Sequence, residues 1–183
     1  MKIYTKSGDD GETGLYDGTR RSKADPVFDV LGTVDELAAH IGLLMYACPS
    51  ERIFLNYVQT VLLDIGSVVA TPLRNKNVEG ISDVDIIFIE KEIDRLDTTL
   101  KPLKEFLIMN GKTMGAAQAH ICRVVCRRAE REMEKHGDID RVVTRFMNRL
   151  SDYFFTLARF ESEIEKPKTF LTNFLIFLGF KGY

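Results

Sequence analysis

The residues best suited to chemistry lie in Arg123–Arg131, R-V-V-C-R-R-A-E-R. On a helix, side chains three and four apart are neighbours, so Arg123, Arg127 and Arg131 form one stripe with Arg128 and Glu130 beside it. Like charges at that spacing oppose helix formation by roughly 0.2–0.5 kcal/mol per pair. Three in a row therefore call for something negative to face them, either a polyphosphate or the carboxylates of a partner element. The competing reading is a solvated basic face answered by Glu130, Glu132 and Glu134.

A second candidate stretch opens the chain. Residues 1–26 carry no apolar period and place Gly8, Gly11, Gly14 and Gly18 in a short span. Such a backbone takes positive φ and can approach a ligand closely. Its side chains are hydroxyls (Thr5, Ser7, Thr13, Thr19, Ser22) and cations (Lys6, Arg20, Arg21, Lys23). Free N–H groups, hydroxyls and ammonium groups together suit phosphate oxygens. Composition alone leaves a plain N-terminal tail equally open.

Periodic segments must position these groups. Phe28, Leu31, Val34, Leu37, Ile41 and Leu44 predict a helix to about Ala47, stopped by Cys48-Pro49. Within it Asp35 and Glu36 are adjacent acids, natural partners for a neighbouring arginine helix. A second helix is predicted over 51–70 and a third over 82–96, where Ser82 and Asp85 resemble a capping box. A polar loop, 73–81, separates these two. The arginine helix follows over 115–136, capped by Gly137, and a fifth over 139–165. Five helices with short connections and no convincing strand predict an all-α antiparallel bundle behind a Gly-rich loop. The single domain divides into that loop (1–26), the bundle (27–165) and an apolar tail (166–183).

Composition and motif failures narrow the function. A 183-residue chain with 45% hydrophobic and 28% charged residues is an ordinary globular domain. Its net charge of −2 argues against a general nucleic-acid surface, and any anion site must be local. The longest apolar run, 170–180, falls short of the ~20 residues that span a bilayer. Three cysteines without knuckle spacing read as reduced thiols, and no secretory or transit pattern opens the chain, which suggests a cytoplasmic protein, or a mitochondrial-matrix one whose transit segment has been removed. Gly111-Lys112-Thr113 is not a P-loop, because Phe106 stands where that motif needs glycine. A di-iron bundle needs Glu-x-x-His pairs, yet Leu37, Ala117 and Met133 precede His40, His120 and His136. No nucleophile with a base and an orienting partner is evident. This suits a reaction in which two substrates react with each other while the protein positions them and neutralises a leaving anion.

Five motifs in order then carry a resemblance: Thr5-Lys6-x-Gly8-Asp9-x-Gly11-x-Thr13; Ser22-Lys23-x-Asp25; Gly32-Thr33-Val34-Asp35-Glu36-Leu37; Cys126-Arg127-Arg128-Ala129-Glu130-Arg131; and Asn148-Arg149-Leu150-Ser151-Asp152-Tyr153. Together they closely resemble the PduO-type ATP:cob(I)alamin adenosyltransferases, over about residues 2–160. The resemblance implies a five-helix bundle assembled as a homotrimer with active sites between subunits. It implies a reaction in which cob(I)alamin attacks the ribose 5′ carbon of ATP and triphosphate leaves. By position, Thr5, Lys6, Gly8, Asp9, Gly11 and Thr13 would line an ATP loop with Lys23 near the phosphates. Arg123 and Arg127 would meet ATP, Arg128 and Glu130 would complete the polar network, and Asp35 would pair with Arg123 across the subunit boundary. Asn148 would contact the nucleotide or its Mg²⁺. Phe106 matches the family phenylalanine that displaces the lower axial ligand of the corrinoid.

The chain departs from the family at Phe106–Gly111, which lacks the usual proline and second glycine. That departure supports an alternative, a non-catalytic ATP- or adenosylcobalamin-binding carrier or sensor on the same fold. An adenosylcobalamin-dependent enzyme is the client either reading supplies. The tail has helical spacing at Phe170, Leu171, Phe174, Leu175 and Leu178, and packing on the trimer is preferred over a partner or membrane-surface role.

Overall fold

The computed structural model describes residues 3–4, 6–71, 80–103, 108–109 and 111–163. Among these, five helices account for nearly all regular structure: α1 (Pro26–Ala47), α2 (Arg52–Val69), α3 (Asp83–Asp97), α4 (Met114–His136) and α5 (Arg141–Glu163). Each boundary has a local cause. Asp25 caps α1 by accepting from the Val27 N–H at 3.0 Å, with Pro26 in the first turn, where its missing donor costs nothing. The Ser82–Asp85 capping box forms at α3, so the I-I-F-I stretch is helical, with Ile86 and Ile89 buried. Thr113 accepts from the Ala116 N–H at 3.0 Å to start α4, and Gly137 ends it at φ 75°. Gly111 of Gly111-Lys112-Thr113 has structural work too: at φ 51°, it lies so close to Ala117 that a Cβ there would stand 2.6 Å from the Ala117 Cα.

α4 is the central helix, packed between α1 and α5, with α3 outside α5 and α2 outside α1. The side-chain pairs Glu36–Arg128 and His40–Gln118 run in opposite directions along α1 and α4, so the two are antiparallel. Tyr153, Phe146 and Phe154 of α5 and Leu37, Ile41 and Leu44 of α1 are fully buried; each is worth about 1.5–3 kcal/mol relative to exposure. Where α2 begins, the buried Glu51 accepts from Arg95 at 2.5 Å and from the Tyr153 hydroxyl at 3.2 Å. The Pro49–Val69 stretch is long and apolar enough to cross a membrane by length and composition. Here its Leu55, Val58, Leu62 and Ile65 are buried in the bundle core.

One expectation fails. The stretch 1–26 is not loop throughout: β1 (Glu12–Gly14) and β2 (Arg20–Ser22) pair antiparallel, with Thr13 opposite Arg21. The physical reason is a tight turn and one anchor. Thr19 donates its N–H and hydroxyl to Asp17 at 2.9 and 2.7 Å, Gly18 takes φ 83°, and Leu15 is buried in the core. The helix bounds differ from the predicted ones by one or two residues. The tail and most of the 73–81 loop lie outside the described residues.

Candidate active site

The N-terminal hairpin folds the Gly-rich loop back on itself. The Lys23 N–H donates to the Gly11 carbonyl at 2.9 Å, and Arg20 donates to the Ser7 carbonyl at 2.8 Å. A Cβ on Gly8 would stand 3.3 Å from the Lys23 Nζ. The Lys23 ammonium therefore rests against the bare face of Gly8, and Gly8, Gly11 and Lys23 share one exposed corner. Lys6 is the one non-glycine residue at positive φ among the described residues, at 59°, and its carbonyl accepts from the Asp9 N–H at 3.3 Å. Held backbone strain of this kind concentrates at ligand sites. Thr5 lies outside the described residues.

Two carboxylates set the base of this loop. The Thr19 hydroxyl and N–H hold Asp17 below the ordinary carboxylate range. At Asp25 the Val27 N–H does the same, burial opposes it, and the nearby Arg21 guanidinium adds to the lowering. Both stay ionised, so the hairpin is fixed to the start of α1.

On α4 the arginines are not equivalent. Ala119, Cys122, Val125, Cys126, Ala129 and Met133 face the core, which turns the polar stripe outward. Arg128 is bound to Glu36 of α1. Arg131 turns back to donate to the Arg127 carbonyl at 3.0 Å. Arg123 and Arg127 have no carboxylate partner among the described residues, and the Arg123 Nε is buried without a hydrogen bond. Two of the glutamates that would make this a self-neutralised face, Glu130 and Glu132, are otherwise engaged. Glu130 accepts from the Asn148 Nδ2 at 3.0 Å, and Glu132 pairs with Lys135 at 2.8 Å. Two guanidinium groups are thus left to face an outside anion.

Of the remaining predicted residues, Asp35 is exposed beside an apolar groove of about 670 Å³ between α1 and α2, lined in part by Leu31, Gly32 and Leu63. It has no ion pair in its own chain among the described residues. Phe106 lies outside them. Burial, with Arg123 second, holds the His120 imidazole below its ordinary pKa, so the ring is neutral, and its Nδ1 is buried without a hydrogen bond. Burial pushes all three thiols up, Cys122 to about 12 and Cys48 and Cys126 well above the ordinary thiol range; none is a thiolate nucleophile. Arg149 is the participant that residue-type reasoning passed over. It reaches Glu90 at 3.2 Å, Asn148 at 3.3 Å and Asp152 at 2.7 Å; the signal was its i,i+3 spacing to Asp152 inside the last motif.

The loop and the arginine pair are not brought together within one chain. Arg21 of β2 and His136 at the end of α4 line the same cleft, whereas Arg123 lies roughly 20 Å of helix further back.

Comparison with known proteins converges on one chemistry. Residues 3–161 match the family model described as cobalamin adenosyltransferase. The chain is 40% identical over 171 residues to the corrinoid adenosyltransferase MMAB of Mus musculus, covering 87% of this chain and 72% of that one. It is 38% identical over 186 residues to the Homo sapiens protein of the same name, covering 94% and 74%. Among solved structures, it aligns at TM-score 0.83 and 31% identity with a phenylalanine-to-alanine variant of the PduO-type ATP:corrinoid adenosyltransferase from Lactobacillus reuteri complexed with cobalamin and ATP. That match covers 88% of this chain and 93% of the other.

Proposed function

The chain belongs to the cobalamin adenosyltransferase family, and we propose that its reaction runs where the Gly8–Lys23 loop of one copy meets α4 of another. It transfers the 5′-deoxyadenosyl group of ATP to cob(I)alamin, giving adenosylcobalamin and triphosphate. The corrinoid cobalt is the nucleophile, so the protein need supply none. Its residues hold ATP, orient C5′ and take up charge as triphosphate leaves.

In this assignment Lys6, Gly8, Asp9, Gly11 and Thr13 line the ATP loop, with Thr5 ahead of them, and Lys23 meets the phosphates. Arg127 and Arg123 face the polyphosphate, Arg128 is held by Glu36, and Glu130 holds Asn148. Phe106 serves the corrinoid side. The observation that carries the assignment is the pair of arginines without carboxylates, among the described residues, on a helix whose Glu130 and Glu132 are engaged elsewhere. Among the described residues no three His, Cys, Asp or Glu side chains are grouped to hold an ion. In this reading Mg²⁺ comes with the ATP phosphates, with Asn148 beside it.

A homotrimer with sites between subunits accounts for the separation of loop and arginines along α4. It also gives Asp35 a partner in Arg123 of the next copy, and it covers Ile121 and Val124, apolar side chains exposed beside the arginine stripe. The test is anaerobic turnover with MgATP and chemically reduced cob(I)alamin, followed by the visible spectrum. A light-sensitive adenosylated product with triphosphate released is expected. ATP binding without conversion would sink the catalytic reading and leave a carrier or sensor.

A further inference from the structure

Arg159, near the end of α5, is the least exposed cation in any ion pair among the described residues, its side chain only 10% accessible. Burying a guanidinium is costly unless its donors are used. Its carboxylate partner does not answer that cost. Asp97 accepts from the Arg159 Nη1 at 3.2 Å but is 60% exposed, and a solvated partner of that kind contributes little. The shorter bond goes to backbone: the Arg159 Nη2 donates to the Lys101 carbonyl at 2.5 Å.

That bond is not a helix cap. The last four carbonyls of α3 are answered without Arg159: Asp94 by the Thr98 N–H at 3.1 Å, Arg95 by the Thr98 hydroxyl at 2.7 Å, Leu96 by the Thr99 hydroxyl at 3.1 Å and Asp97 by the Leu100 N–H at 3.0 Å. Arg159 therefore grips the chain after the helix has ended, at the start of the connector to α4 (98–113). Lys101 precedes Pro102, which confines its backbone to extended conformations. Holding its carbonyl thus fixes the direction in which Pro102 and Leu103 leave. The far end of the connector is seated on α4 by Gly111, which leaves no room for a Cβ against Ala117. We propose that Arg159 is the positioning residue of this connector, and that its grip on Lys101 sets where the connector meets the corrinoid. This rests on the reading above that Phe106, five residues further on, serves the corrinoid side. Five residues span at most about 16–18 Å, so a change of direction at Lys101 is carried to Phe106. ATP is assigned to the N-terminal loop and the α4 arginines, so Arg159 acts on one substrate and not the other.

Anaerobic steady-state turnover tests it, with cob(I)alamin varied at saturating MgATP and MgATP varied at saturating corrinoid. The proteins are wild type, Arg159→Met, Arg159→Lys, Asp97→Asn and Phe106→Ala. Arg159→Met should raise the corrinoid KM about tenfold and leave the ATP KM where it is. Arg159→Lys has one ammonium for two acceptors and should recover only part of that loss. Asp97→Asn keeps the grip on the Lys101 carbonyl and should match wild type in both constants. A purely structural arginine would instead lower the melting temperature and the active fraction, with both KM values unmoved. That result would overturn the proposal, as would an ATP KM that rises in proportion to the corrinoid KM. Should Arg159→Met not fold, Arg159→Lys carries the test, and a wild-type corrinoid KM in it would overturn the assignment. A Phe106→Ala protein that turns over as wild type does would overturn the placement of the corrinoid against this connector, and this inference with it.

Discussion

Arg127 is the residue on which the chemistry can be tested with least disturbance to the fold. Its side chain is exposed and pairs with no carboxylate among the described residues, so Arg127→Ala should change stability by no more than about 0.5 kcal/mol. Loss of a group aimed at developing charge typically costs about 10²–10³ in rate; kcat should fall on that scale while the helical circular dichroism and melt stay put. Unchanged activity would remove Arg127 from the mechanism. His120 makes a separate prediction. Burial, reinforced by Arg123, lowers its native pKa beneath the ordinary 6.5. As pH falls through that value the unfolded chain takes up the proton first, and the native state loses stability. A His120→Gln protein should therefore melt with a flatter pH dependence between about pH 7.5 and 5.5. Equal slopes for the two proteins would show that the ring does not report its surroundings this way. The arginine stripe was legible in the sequence because helical spacing alone aligns it. Which arginines are free was not, since that depends on Glu36 arriving from α1 and on Glu130 turning to α5.

At the scale of elements, the helices were legible because each carries an apolar period and a chemical stop: Asp25-Pro26 and Cys48-Pro49 around α1, Ser82 before α3, Gly137 after α4. The β1–β2 hairpin was not, because three-residue strands show no alternation and its one anchor, Leu15, looks like any isolated apolar residue in a polar loop. The seating of α4 was equally hidden. At Gly115 a Cβ would stand 2.6 Å from the Cys48 Sγ and 2.8 Å from the Glu161 Oε2, so α1, α4 and α5 meet there without room for a methyl group. Gly115→Ala should destabilise by about 1–3 kcal/mol through overpacking, read as a lower urea midpoint. Adding Cys48→Ala should recover part of that loss, since it removes the nearer of the two atoms. The two changes should thus be non-additive. Strict additivity would mean that α4 accommodates the methyl by moving elsewhere.

For the whole molecule the open question is what meets Asp35 and Arg123. They belong to adjacent helices, yet no ion pair joins them within the chain: Asp35 borders the α1–α2 groove, whereas Arg123 belongs to the outward stripe of α4. A guanidinium with a buried, unbonded Nε beside an unanswered imidazole nitrogen is an expensive arrangement in isolation, and in the proposed assembly a carboxylate from a neighbouring copy would relieve it. If copies pair this way, reversing either charge puts like charges face to face at every interface of a closed ring, and the penalty is repeated by symmetry. Asp35→Arg and Arg123→Asp should each lower the sedimentation coefficient at a concentration where wild type is assembled, with helicity retained. The double reversal, Asp35→Arg with Arg123→Asp, restores opposite charges at the same places and should restore assembly and turnover together. If the active sites are built from the loop of one copy and α4 of another, they vanish on dissociation, and activity should track the assembled fraction across all four proteins. Single variants that sediment and turn over as wild type does would refute the pairing, and a double variant no better than the singles would show that the two residues act at separate places.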